Sequence, residues 1–359
     1  MKNFAQLSLA ENIFSSRNKQ SRIVKTLNKI RNLVDWEKLG KEISIIDKTK
    51  QGVGGRPRIP LQWMLRMLFV QNIYNLSDPE LEDQMIDRKS FQDFVGIHQG
   101  VEIPDFSSLW RFKEALIKHN LTEELFNNIT SELEGKGLFI KKGTAVDATI
   151  LQSTTRPLSD KKREELERSP NNQIDTDASS TEKGRKKYFG YKGHIGVDIG
   201  SKLIRKLSYT TASPHDSTEF ENLLSGDEQA IWADSAYANK NKKRAARFLG
   251  IYYGVLDKAA RNHPLSNKQK KNNRKKSAVR SAVEHPFAFM KSKLHLLRAT
   301  AKNLERNALR FTMNCINYNF RIAKCFIVYW VIRGEDVIFR SCSFNKITHH
   351  KVDEVAFLI

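Results

Sequence analysis

His194-Ile195-Gly196-Val197-Asp198-Ile199, followed by Gly200-Ser201 and then Leu203 to Thr211, reads as a strand, a two-residue turn and a returning strand. This hairpin anchors the fold class. Upstream, Thr144-Ala145-Val146-Asp147-Ala148-Thr149-Ile150 is a β-like run inside 139–150. Downstream the pattern predicts a helix over 217–224, a short apolar strand over 229–232, a basic helix over 239–249, a strand over 251–256 and a long helix from about 277 to 297. Together, residues 138–298 form an α/β domain with an antiparallel hairpin in a mixed sheet. Residues 152–189 are polar, proline-spotted and basic, and are expected as an exposed, mobile insertion. A further helix over 304–324 carries Leu309, Met313, Ile316 and Phe320 at helical spacing.

Residues 1–135 have the pattern of a small helical domain. Ile23, Leu27, Ile30 and Val34 recur at steps of three and four, one helix face. Gly52 to Pro60 is a flexible basic linker whose Gly-Arg-Pro core also resembles a minor-groove hook. Leu61 to Tyr74 is apolar nearly all round and predicts a buried helix. Ser77-Asp78-Pro79-Glu80 has capping-box spacing, opening a helix that should run to Phe94 and end near Gly96. Helices over 106–119 and 122–134 follow.

The chain has 359 residues, enough for roughly two to three domains. With 28% charged and 40% hydrophobic residues it can bury a sizeable core. Lys and Arg number 61 against 40 Asp and Glu, a net charge of +21. That excess points to a polyanionic partner, a merely solubilising basic surface being the alternative. The stretch from Lys258 to Val283 contains no acidic residue. No apolar run approaches the roughly 18 residues of a membrane span. The first residues lack the apolar core of a secretory signal. Cys315, Cys325 and Cys342 are odd in number and widely spaced, which predicts neither a disulfide framework nor a Cys-rich zinc site, and fits the cytoplasm.

Three acids stand apart. Asp147 lies in an apolar strand, where a carboxylate costs free energy unless paired or metal-bound. Asp234 follows a short strand, at the end of the sheet where α/β sites gather. Glu284 shares a helix face with Arg280 and Lys291, at offsets of about +40° and −20°. A carboxylate between two cations suits a site that grips a metal-held phosphate, and equally an exposed i,i+4 salt bridge. Asp198 in the second strand is a further acid within reach of such a site. His194, His215 and His285 have no partner at metal-ligand spacing and suit structural hydrogen bonds.

Arg280-x3-Glu284-x6-Lys291 resembles the signature around the last acid of bacterial DDE transposases, in the insertion-sequence-five branch of the insertion-sequence-four superfamily. Asp147 in TAVDATI and Asp234 in WADSAY resemble the family's other two acids, with 86 and 49 residues between successive acids. YFGYKGHIGVDIGSKLI, residues 188–204, is similar to its second and third strands, and GRPRIPLQWMLRMLFVQNIYNLSDPELEDQM to its helical DNA-binding region. The likeness spans about residues 1–325. It departs at Ser277, where the family has a tyrosine, implying weaker phosphate contact, and over 326–359, which have no family counterpart.

The resemblance implies a ribonuclease H-like catalytic domain over 138–298, preceded by a helical N-terminal DNA-binding domain over 1–135 and followed by a C-terminal helix over 299–325 and an atypical tail over 326–359. It implies that Asp147, Asp234 and Glu284 hold two Mg²⁺ ions, for which Mn²⁺ may substitute. Water would nick the element end, and the freed 3′-OH would attack target DNA. Arg280 and Lys291 would hold phosphates; the basic stretches Lys258–Arg280 and Lys183–Lys192, with Arg274, Lys275, Lys276, Lys186, Lys187 and Lys192, would track the DNA backbone. Tyr188 and Tyr191 suit either base stacking or packing. The implied partners are double-stranded DNA, as terminal inverted repeats and target, and a second protomer in a synaptic dimer, in the bacterial nucleoid and with no membrane. Competing readings are a nuclease of the same fold without strand transfer, and an inactive or domesticated transposon-derived DNA-binding protein.

Overall fold

The computed structural model describes residues 21–47, 58–98, 100–169, 171, 174–260 and 263–333. The Gly55-Arg56-Pro57 element, the tail beyond Arg333 and Cys342 lie outside these residues. Among the described residues, seven α-helices come first: α1 Arg22–Arg31, α2 Trp36–Glu42, α3 Leu61–Tyr74, α4 Asp78–Asp87, α5 Lys89–Val95, α6 Phe106–Lys118 and α7 Leu121–Gly135. In α3, eight consecutive residues from Met64 to Gln71 are buried, as its all-round apolar sequence requires. Ser77 and Glu80 form the expected capping box at the start of α4.

The helix expected over 78–94 is instead two, broken at Arg88 (φ −104°, ψ 101°). On one continuous helix, Leu81 and Met85 would point roughly 100° away from Phe91, Phe94 and Val95. The break turns both sets into the same core. Gln92 bridges it, its side-chain amide donating to the Met85 carbonyl at 2.8 Å.

The sheet comprises β1 Thr144–Ser153, β2 Ser179–Lys183, β3 Lys186–Asp198, β4 Ile204–Thr211, β5 Ala230–Ala233, β6 Tyr252–Tyr253 and β7 Arg298–Ala299. β3 is antiparallel to β1 and β4; β5 runs parallel to β1 and β6 parallel to β5. The mixed sheet is therefore ordered β4-β3-β1-β5-β6, with β2 and β4 sharing one edge of β3 end to end. On the far side of β1, β5 pairs with residues 144–146 and β7 only with 152–153. Between them the edge of β1 at Asp147 stands clear for the chain that crosses it later.

Several boundaries move. The stretch 152–189 contains the end of β1, helix α8 Asp160–Arg168, and β2, more regular structure than its composition suggests. The missed hairpin turns on Gly184 (φ 58°) and Arg185 (φ 64°), a left-handed pair suited to a two-residue loop. The β3–β4 turn is longer than two residues because Asp198 organises it. Its carboxylate, fully buried, accepts from the Ile140, Lys141 and Ser201 backbone N–H groups and the Ser201 hydroxyl. The helix expected over 217–224 is two 3-10 turns, Asp216–Thr218 and Glu221–Leu223. Helix α9 spans Lys240–Phe248, and the β6 ladder continues past Tyr253 through Gly254 and Leu256 N–H bonds to β5 carbonyls.

The acid-free stretch is helical from Asn267 to Arg280 (α10), with a 3-10 turn at Ser281–Val283 before α11, Glu284–Lys293. The single helix expected over 277–297 is interrupted because Pro286 has no N–H for the Ala282 carbonyl and its ring crowds that carbonyl. As the third residue of α11, Pro286 sits where helical N–H groups have no partner in any case.

Helix α12, Leu304–Arg333, runs through the middle. Asn319 gives and takes hydrogen bonds at 2.8 Å with the Ile204 backbone of β4. Phe320 packs at a tilt against Phe69 (5.3 Å), which meets Trp36 edge-on (5.0 Å). Arg306 grips Glu114 of α6 with two hydrogen bonds of 2.7 and 2.9 Å. One continuous apolar core thus joins the N-terminal helices, one face of the sheet and α12. No described helix is long and apolar enough to cross a membrane.

Candidate active site

Asp147 and Asp234 come together because of strand register. Val146 of β1 pairs with Ala233 of β5, so the next residue on each strand is an aspartate. Asp234 stands where β5 ends and caps the 3-10 turn Ser235–Tyr237, its carboxylate accepting the Ser235 N–H at 2.6 Å. Asp147 accepts the Ala148 N–H at 2.8 Å. Burial pushes its pKa up from the ordinary 3.8; the Ala148 N–H, Arg280 and Lys183 oppose that, and the Asp234 charge adds to it.

Glu284 reaches the pair through Arg280. The Arg280 guanidinium donates to Asp147 Oδ2 at 2.7 Å and to Glu284 Oε1 at 3.1 Å. A 3-10 turn, Ser281–Val283, stands between the two residues, and its Val283 is buried. The Glu284 side chain is 61% exposed, so one acid of the three faces solvent while Asp147 is largely enclosed. Lys291 is half-buried, and burial, then the nearby Lys183, lower its pKa while Asp147 raises it. Three cations therefore surround Asp147: Arg280, Lys291 and Lys183.

Lys183, the first residue of the basic stretch 183–192 expected to track the DNA backbone, is also near enough to Asp147 to act on its charge. It sits at the tip of the β2–β3 hairpin, beside exposed Lys186 and Lys187. The Gly184-Arg185 turn was the available signal for that hairpin.

Not every expected DNA contact is on the surface. Arg274 and Lys275 are exposed on α10. Lys276 is turned inward, its ammonium bonded to the Val255 carbonyl (2.8 Å) and Asp257 (3.2 Å). Lys192 is a correction: it is buried, donating to the Pro214 carbonyl at 2.7 Å and pairing with Asp216 at 2.9 Å. Alternation along β3 places it on the face covered by the 3-10 turns. Tyr191 is fully buried, donating to Asp175 at 2.6 Å and stacked on Tyr209, so packing is its role. Asp198, bound up in its turn, is away from the acids.

The histidines make structural bonds. His215 accepts the Ser217 N–H, and His285 shares a hydrogen bond with the Tyr318 hydroxyl at 2.8 Å. His194 is buried against Thr210, and burial drives its pKa from 6.5 down to about 4. The fold thus favours neutral His194, a preference without cost above pH 6.5 and destabilising as pH falls toward 4. His194→Gln, which keeps a polar atom toward Thr210, is expected to flatten the loss of melting temperature between those pH values. The difference corresponds to about 3 kcal/mol at most. Identical pH profiles for the two proteins would refute it.

Among the described residues no three His, Cys, Asp or Glu side chains form a ready-made metal cage. Arg280 occupies the place between Asp147 and Glu284. The donors themselves are carboxylate oxygens, and those of Asp147 and Asp234 repel each other.

Two family models match this chain. Residues 11–115 match a transposase domain (DUF772). A piggyBac transposase, solved by cryo-electron microscopy as a synaptic complex with hairpin DNA, is similar over 86% of this chain and 75% of its own, at 11% identity and a TM-score of 0.41. The transposase DDE domain model matches residues 139–320, the span that holds the sheet, Asp147, Asp234, Arg280 and Glu284 and most of their supports; the chain belongs to the transposase DDE domain family.

Proposed function

We propose that this transposase belongs to the bacterial insertion-sequence-five branch, cuts DNA at the ends of its own element and joins the 3′-OH to target DNA. The observation that carries the reading is the convergence of Asp147 and Asp234 on adjacent parallel strands, with Glu284 linked to Asp147 through one guanidinium. The strand order, three antiparallel strands followed by two parallel ones, supports a ribonuclease H-like domain.

Asp147, Asp234 and Glu284 would hold two Mg²⁺ ions, because hard carboxylate oxygens are the donors that Mg²⁺ takes. When bound, the ions supply activation of an attacking oxygen and stabilisation of a leaving one. Arg280 bridges Asp147 and Glu284 and is placed to grip a phosphate beside them. Lys291 and Lys183 add positive charge where the phosphate would lie. Arg274, Lys275, Lys186 and Lys187, all exposed, would follow the DNA backbone. Lys192 and Lys276 would instead hold the scaffold. Nothing in this scheme needs a nucleophilic side chain. Residues 1–135 would recognise the element end, and two protomers would pair two ends in the synaptic complex.

The test is cleavage of a labelled duplex bearing the terminal inverted repeat, with Mg²⁺ or EDTA, for wild type and Glu284→Ala. Nicking at the repeat boundary with Mg²⁺ alone, followed by joined products, is expected for wild type only. Cleavage without joined products would reduce the protein to a nuclease. Mg²⁺-independent cleavage, or an active Glu284→Ala, would overturn the site.

A further inference from the structure

A second basic surface lies away from the acids. From Asn239 to Leu256 there is no acidic residue. At 100° per residue, Lys240, Lys243, Arg244 and Arg247 fall within about 100° of arc, a stripe about 10 Å long on α9. All four are exposed, and among the described residues none of them forms an ion pair. Lys242, off the stripe, is by contrast held by Glu221 at 3.4 Å and the Ser217 carbonyl at 3.2 Å.

Aromatic surface borders this stripe. Phe248 is 91% and Tyr252 55% exposed. An open cleft of about 450 Å³ has Lys243, Arg247 and Tyr252 in its lining, and Phe248, outside that lining, ends α9 one residue after Arg247. The Tyr252 ring is braced by Trp232, centroids 5.8 Å apart. Tyr252 pairs with Ala230, at the opposite end of β5 from Asp234, roughly 13 Å along the strand.

We propose that this cleft binds single-stranded DNA, phosphates on the α9 stripe and bases against Tyr252 and Phe248. The charge selects a polyanion. Open rings beside the cations select unpaired bases, whose faces a duplex hides. The inference rests on the reading that this chain handles DNA.

The test uses the full chain in EDTA and fluorescence anisotropy with a labelled oligothymidine of roughly 20 nucleotides and a duplex of equal length. Phe248→Ala/Tyr252→Ala is expected to weaken single-strand binding about tenfold while changing duplex binding by less than about twofold. Lys243→Ala/Arg247→Ala is expected to lower the single-strand salt slope by about 1.4, two phosphate contacts. All substituted residues are exposed, and unchanged melting temperatures would show intact folds. Unchanged single-strand affinity in the aromatic variant, or equal losses on both DNA forms, would overturn the proposal. Binding is read without cleavage, so either result leaves the cleavage test standing on its own.

Discussion

Asp147→Asn is expected to lower DNA cleavage at least about a thousandfold while leaving DNA affinity and melting temperature undiminished. The rate loss follows if Asp147 holds a divalent ion, since several kcal/mol of charge stabilisation correspond to that factor. Asparagine keeps the shape and one acceptor oxygen for the Ala148 N–H, while the Arg280 guanidinium still has Glu284. The stability side follows from the pKa. Asp147 binds its proton more tightly in the fold than the ordinary 3.8 implies, so ionised Asp147 destabilises the fold. Its contribution is most favourable in acid and is lost as pH rises from 3.8 through the raised value. An uncharged side chain removes that cost at neutral pH. Single-turnover cleavage, anisotropy and thermal melting, run together, check this. A variant that cleaves normally would remove Asp147 from the chemistry, and one that melts well below wild type would assign it to the scaffold.

Asp198→Ala is expected to do the reverse, destabilising the protein by about 3–5 kcal/mol and lowering its melting temperature by roughly 4–7 °C. Three backbone N–H groups and one hydroxyl converge on this fully buried carboxylate. Alanine leaves them without an acceptor, beyond the reach of water. The loop before β1 and the β3–β4 turn are both tied there, so the damage would spread to the strand that carries Asp147. Thermal melting of purified protein measures it; a drop of less than about 2 °C would show that water or a shifted backbone replaces the carboxylate.

These two aspartates show what could be read in advance. Both lie in apolar strands, and both are acids whose burial demands a partner. The local sequence cannot say whether that partner is a ring of backbone N–H groups or a neighbouring acid site. For Asp198 the answer depends on residues about 58 positions away at Ile140. For Asp147 it depends on Arg280, 133 positions on.

Elements whose determinants are local were legible. The α3 helix, the Ser77 capping box, the β3–β4 strands and the basic α9 helix follow from periodicity and caps within a few residues, which chain stereochemistry enforces wherever the segment lies. The spacing Arg280-x3-Glu284 likewise foretold their ion pair, because a near-helical turn brings them together whatever the packing. What tertiary structure decided was orientation. Whether α4 and α5 were one helix depended on a core that both had to face. Whether Lys192 met solvent or Asp216 depended on which face of β3 the 3-10 turns covered. That Asp147 and Asp234 are neighbours depended on the register of two parallel strands whose paired residues, Val146 and Ala233, stand 87 positions apart. Chain-local forces fix shape over a turn or two; only burial of a shared core selects the face, the register and hence the site.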